Sequence, residues 1–146
     1  LKEVIDKVKK NYDFIIIDTP PSLTLLSINA MVAADSLIIP LPCEYFAFES
    51  LGEQMKCLQM IKNKFNRNIR IRGILLTMCQ ANEENGGKIL SDIQKYLKNK
   101  LFQTVIPKTK NLREFAIHGR PVLFNDIKTE GARSFLNLAR EIIKTG

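Results

Sequence analysis

The carboxylate of Asp18 stands directly after four apolar residues, Phe14-Ile15-Ile16-Ile17, and directly before Thr19-Pro20-Pro21-Ser22. Four apolar residues ending in Asp form the Walker B pattern, in which the carboxylate helps to hold a nucleotide's magnesium, commonly through water. The alternative is an Asp that merely caps the following helix. The two prolines favour the first reading, because they fix a backbone turn that a simple cap does not require. A second set of chemistry-bearing residues is cationic. Lys108, Lys110, Arg113 and Arg120 lie in the stretch from Pro107 to Pro121, and Lys95, Lys98 and Lys100 precede it. Such a set suits phosphate groups, although a solvated lysine surface produces the same pattern. A separate run, Lys62, Lys64, Arg67, Arg70 and Arg72, contains no acid and reads either as a further cationic surface or as a solubilising rim.

Other candidates carry less. His118, the single histidine, has no Ser or Cys nucleophile motif nearby and reads as a structural residue beside Gly119. Gly86-Gly87-Lys88 does not follow directly on a buried strand and lacks the Lys-Ser/Thr ending of a phosphate-binding loop, so it reads as a helix-entry turn. Cys43, Cys57 and Cys79 are odd in number and form no short-spaced pair. Neither a disulfide framework nor a zinc site is indicated, and reduced thiols in a cytosolic protein are expected. Met55, Met60 and Phe65 read as helix packing or a dimer surface.

The elements that position these residues alternate. Phe14 to Ile17, Ser36 to Leu41, Gly73 to Met78 and Leu101 to Ile106 are short apolar runs of the kind that form strands buried on both faces of a parallel sheet. Between them come helical patterns. Leu23 to Ala34 is apolar almost all round and suggests packing on both sides. Leu51, Met55, Leu58, Ile61 and Phe65 make one stripe; Ile89, Leu90, Ile93 and Leu97 make another; Ala132, Phe135, Leu136, Ala139, Ile142 and Ile143 form the last. Strands alternating with helices predict an α/β fold, with a parallel sheet covered by helices on both faces and ligands bound beyond the strands' carboxyl ends.

The chain's 146 residues are the size of one domain, so residues 1–146 are expected to form a single domain. With 45% hydrophobic and 25% charged residues it does not read as disordered, and its net charge of +7 favours anionic partners. No apolar stretch approaches the ~20 residues of a membrane span, and Leu1 to Lys10 lacks a signal peptide's apolar core. Leu1, Val4, Ile5 and Val8 place a helical face at the very first residue, which reads as a cut beginning.

The run "YDFIIIDTPPSLTLLSINAMVAADSLIIPLPCEYFAFESL" resembles the segment from Walker B onward in ParA/Soj-type chromosome and plasmid partitioning ATPases. "RGILLTM", "TVIP", "HGRPV" and "GARSFLNLAREI" are similar to that family's later landmarks in the same order. The resemblance covers Asn11 to Ile143. It implies a partial P-loop NTPase fold lacking the P-loop strand, with ATP and Mg as cofactors and nucleotide held between two subunits of a homodimer. It also implies that Asp18 supports Mg, that Thr19, Pro20 and the residues to Ser22 sense the γ-phosphate, and that Pro107 lies on the base-binding side. The implied partners are non-specific DNA, through Lys108, Lys110, Arg113 and Arg120, and a ParB-like protein, in a cytoplasmic, nucleoid-associated setting without a membrane.

The departures matter equally. The family opens with a KGGxGKT-like loop whose amides and lysines cradle phosphates, and no such motif occurs here, nor does the first acidic switch. Where the family has Phe-Asp-Ala-Arg-Thr, this chain has Cys79-Gln80-Ala81-Asn82-Glu83, without that carboxylate and guanidinium at the pocket rim. Three functions follow as expectations: part of a partitioning ATPase inactive by itself, a nucleotide-independent basic DNA-binding remnant, or a MinD-like division-site protein. The last ranks below the others because no basic amphipathic extension follows Lys144-Thr145-Gly146.

Overall fold

Apolar runs bounded by turn residues become strands only where a neighbour takes up their backbone groups, and three of the four expected runs find one. The computed structural model describes residues 1–20, 22, 24–44, 46–80, 84–109, 119, 121–124 and 127–144; of residues 84–90, 98 and 124 only the backbone is described. Its elements are α1 (Lys2–Val8), α2 (Leu25–Ala33), β1 (Ser36–Pro42), α3 (Ala47–Lys64), β2 (Arg70–Cys79), α4 (Glu84–Leu97), β3 (Leu101–Pro107) and α5 (Glu130–Lys144), with short 3-10 turns at Lys9–Asn11, Lys98–Lys100 and Val122–Phe124. The strands form one parallel sheet in the order β1-β2-β3, flanked by helices. In the β2–β3 pair Ile74 faces Leu101, Leu76 faces Val105 and Cys79 faces Pro107, with irregularities between these points.

Two compact units make up the chain. The first comprises residues 1–37 and 48–72, the second residues 38–47 and 73–146. In the first, α1 packs on α2, and Leu51, Leu58 and Ile61 of α3 are buried as the stripe predicts, while Phe65, just beyond the helix, is 58% exposed. The Asn66 side-chain amide closes the carboxyl end of α2 by donating to the carbonyls of Met31 (3.1 Å), Val32 (3.2 Å) and Ala34 (2.8 Å), which have no helical partner of their own. In the second unit Leu75, Phe102 and Ile106 form a core against which Ile38, Leu138 and Ile142 pack. Leu138, outside the predicted stripe, takes this place, whereas Phe135 and Ile143 are exposed.

Three expectations are corrected here. Phe14 to Ile17 is not a strand, and Phe14, Ile15 and Ile16 are exposed, Ile16 at 91%. An apolar run carries β-propensity, but among the described residues no neighbouring strand pairs with it, and unpaired extended backbone stays with solvent. The Phe14 ring instead lies 5.8 Å from the Arg72 guanidinium, a cation–π distance. The helix after it is not packed on both sides: Ser27 and Ala30 are buried, but Leu25 and Leu26 are 77% and 70% exposed. Gly86-Gly87-Lys88 lies inside α4, not in a turn before it.

The free edge of β3 receives a side-chain partner. Glu141 of α5 accepts hydrogen bonds from the backbone N–H groups of Gln103 (2.6 Å) and Thr104 (3.0 Å). A carboxylate placed in this way satisfies donors that would otherwise invite a further strand.

Candidate functional site

Asp18, Thr19 and Pro20 are exposed in the first unit, and the turn they begin is held from below. Ser27, 2% exposed in α2, donates from its hydroxyl to the Ser22 carbonyl at 2.7 Å and lies 3.5 Å from the Pro20 carbonyl. The Thr24 N–H also reaches the Ser22 carbonyl, at 2.9 Å. A buried hydroxyl therefore fixes backbone carbonyls of the turn and leaves the Asp18 carboxylate in solvent. That carboxylate and the Thr19 hydroxyl are hard oxygen donors, suited to a magnesium ion that keeps most of its waters and takes its remaining ligands from phosphate. No group of three or more His, Cys, Asp or Glu side chains that would hold a metal by itself occurs among the described residues.

The second unit gathers another set of groups at the carboxyl ends of its strands. Pro107 ends β3 opposite Cys79. The Lys108 N–H donates to the Cys79 carbonyl at 3.0 Å, and the Lys108 ammonium donates to Gln80 Oε1 at 3.0 Å. Gln80 thus occupies the place where the family carries a carboxylate, and holds the cation as a neutral acceptor. The Thr109 hydroxyl is buried without a partner among the described residues. Lys110, Arg113, His118 and Arg120 lie outside the described residues. The second basic run is placed: Lys62 and Arg67, with Gln59 and Asn63, line a depression of about 400 Å³ at the end of α3.

The expectation of three free thiols is corrected. Cys43 and Cys79 form a disulfide, and only Cys57 is free. Thirty-six residues separate them in sequence, and it is the adjacency of β1 and β2, both ending at this corner, that brings their Cα atoms to 5.0 Å. That both cysteines close apolar strand runs was the available signal. Ser27 and Gln80 gave none, because nothing in their spacing indicates the carbonyl or the ammonium that each one meets.

The fold is that of a partial P-loop NTPase. An AAA domain family model matches residues 1–71, and the chain superimposes with a TM-score of 0.80 on cobyrinic acid a,c-diamide synthase of Mycobacterium smegmatis, solved with an ATP analogue and magnesium, at 24% identity over 98% of this chain and 52% of that one. Within that class the chain is similar to ParA/Soj-type partitioning proteins. It is 41% identical over all 146 residues to the sporulation initiation inhibitor protein Soj of Bacillus subtilis, covering 58% of that protein. It is 38% identical over 144 residues, 99% of this chain, to the chromosome partitioning protein ParA of Myxococcus xanthus, covering 51% of it. The chain thus spans about half the length of the curated relatives it matches.

Proposed function

We propose that this chain is the C-terminal portion, from Walker B onward, of a partitioning ATPase domain that acts in chromosome or plasmid segregation by ATP-dependent dimerisation and sequence-independent DNA binding. The observation that carries this reading is the likeness to Soj along all 146 residues, the Asp18 turn included. In this reading Asp18 and Thr19 face the hydrated magnesium of a bound nucleotide, and Thr19 to Ser22 report on the γ-phosphate. Magnesium, when bound, offsets the charge of the phosphates. The chain's own contribution is to hold the switch turn in place through Ser27 and to keep a cation beside the strand ends through Gln80. Homodimer formation, a ParB-like partner and a cytoplasmic, nucleoid-associated location belong to the same proposal. Among the described residues no helix is long and apolar enough to cross a membrane.

DNA contact is assigned to Lys108, Lys110, Arg113 and Arg120. Each phosphate neutralised on duplex DNA adds about 0.9 to the log-log salt slope of binding. Reversing Lys108, Lys110 and Arg113 together to Glu is expected to weaken binding equally for unrelated duplexes and to reduce the slope by roughly two to three. Fluorescence anisotropy across a salt series reads both. An unchanged slope in the triple variant removes this loop from the interface and transfers the contact to the depression lined by Lys62 and Arg67.

A further inference from the structure

Cys43 follows β1 and Cys79 ends β2, so the strand order alone makes neighbours of two residues 36 positions apart. Their Cα separation of 5.0 Å lies within the range a disulfide spans. The two sulfurs are unequal in access. Cys43 is half-buried, whereas Cys79 is 6% exposed. Their surroundings accommodate either oxidation state. The Cys43 N–H donates to the Thr77 carbonyl at 2.9 Å, and that same carbonyl lies 3.6 Å from Cys79 Sγ, where a reduced thiol finds an acceptor.

We propose that Cys43 and Cys79 are a reversible redox modification site, a dithiol that a low-molecular-weight disulfide converts into a cross-link between the carboxyl ends of β1 and β2. The more accessible Cys43 reacts first. Its thiolate attacks one sulfur of the small disulfide, forming a mixed disulfide and expelling one thiolate. The Cys79 thiolate then attacks Cys43 Sγ, forming the protein disulfide and expelling the second. Two electrons pass from the protein to the small disulfide, which departs as two thiols carrying the two protons.

What the link controls follows from its neighbours. The Cys79 carbonyl accepts from the Lys108 N–H, and the Lys108 ammonium is held by Gln80. Oxidation therefore clamps β1 to the strand end on which this cationic corner is built, and reduction releases it. The chemistry needs neither nucleotide nor DNA, so it stands apart from the function proposed above.

The test treats the reduced chain with glutathione disulfide, quenches in acid, unfolds, alkylates and weighs it. Of the three thiols in the sequence, one is expected to remain alkylatable, with peptide mapping joining Cys43 to Cys79 and dithiothreitol restoring all three. Cys57→Ser is expected to leave the link intact, and Cys79→Ser to stop at a glutathione adduct on Cys43. Three persistent thiols, a link through Cys57, or stable adducts on the unaltered chain overturn the proposal. Hydrogen exchange supplies a second readout: the amides of Cys43 and Lys108 are expected to exchange more slowly in the oxidised chain, by on the order of tenfold. Equal rates in the two states contradict the clamp.

Discussion

Glu141 shows how much one side chain carries at the edge of β3. Burial alone would raise the pKa of its carboxyl, but the backbone N–H of Gln103 and the hydroxyl and N–H of Thr104 outweigh it, and the pKa falls below the ordinary glutamate value of 4.5. A pKa lowered on folding stabilises the native state above the unfolded value, and that contribution disappears as pH falls through the folded one. Glu141→Gln is accordingly expected to cost about 1–2 kcal/mol at neutral pH, since it weakens the hydrogen bonds that Gln103 and Thr104 make to a charged acceptor. The gap between variant and parent should close in acid, as pH falls through the lowered pKa of Glu141 and the parent carboxylate is itself protonated. Urea denaturation at the two pH values checks both parts. A gap that persists in acid means that packing, not charge, is what the substitution removes. No feature of the sequence pointed to this role, because Glu141 sits at an unremarkable position on a charged helix surface and its partners are backbone groups of another element.

Among the elements, the three strands that formed were legible because each run finds its neighbour within this chain. Phe14 to Ile17 has the same composition, and sequence reasoning had no means of telling it apart, because pairing is a property of the sheet and not of the run. The join between β2 and β3 was less visible. A Cβ added at Gly73 would stand 2.6 Å from Cε2 and 2.9 Å from Cδ2 of Phe102, whose ring is 7% exposed and packed with Leu75 and Ile106. Glycine is needed there for space. Gly73→Ala is therefore expected to destabilise the chain by about 1–3 kcal/mol, the usual cost of overfilling a packed core. Shortening the ring in Phe102→Leu should make the alanine less costly in the double variant than in the parent, a coupling that thermal unfolding of the four proteins measures. Additive effects would mean that the two residues do not press on each other.

For the whole molecule, the resemblance that runs from Asn11 to Ile143 carried the fold and the Asp18 turn, and the strand order then supplied what spacing could not: the Cys43–Cys79 link. The exposed apolar side chains of the first unit, Ile16, Leu25 and Leu26 foremost, make self-association the expected behaviour in solution. Light scattering after size exclusion reads the mass, which should rise with concentration; a stable monomer at high concentration counts against it. In the proposed function Asp18 and Thr19 face a nucleotide's magnesium, while the amides and lysine that cradle the phosphates have no counterpart in this sequence. Without them the charge of a triphosphate is left largely uncompensated in the transition state. The direct measurement is phosphate release from ATP and magnesium by the purified chain, beside its Asp18→Ala variant. The account predicts no turnover above the protein-free background for either, and turnover by the parent chain that vanishes in Asp18→Ala would contradict it.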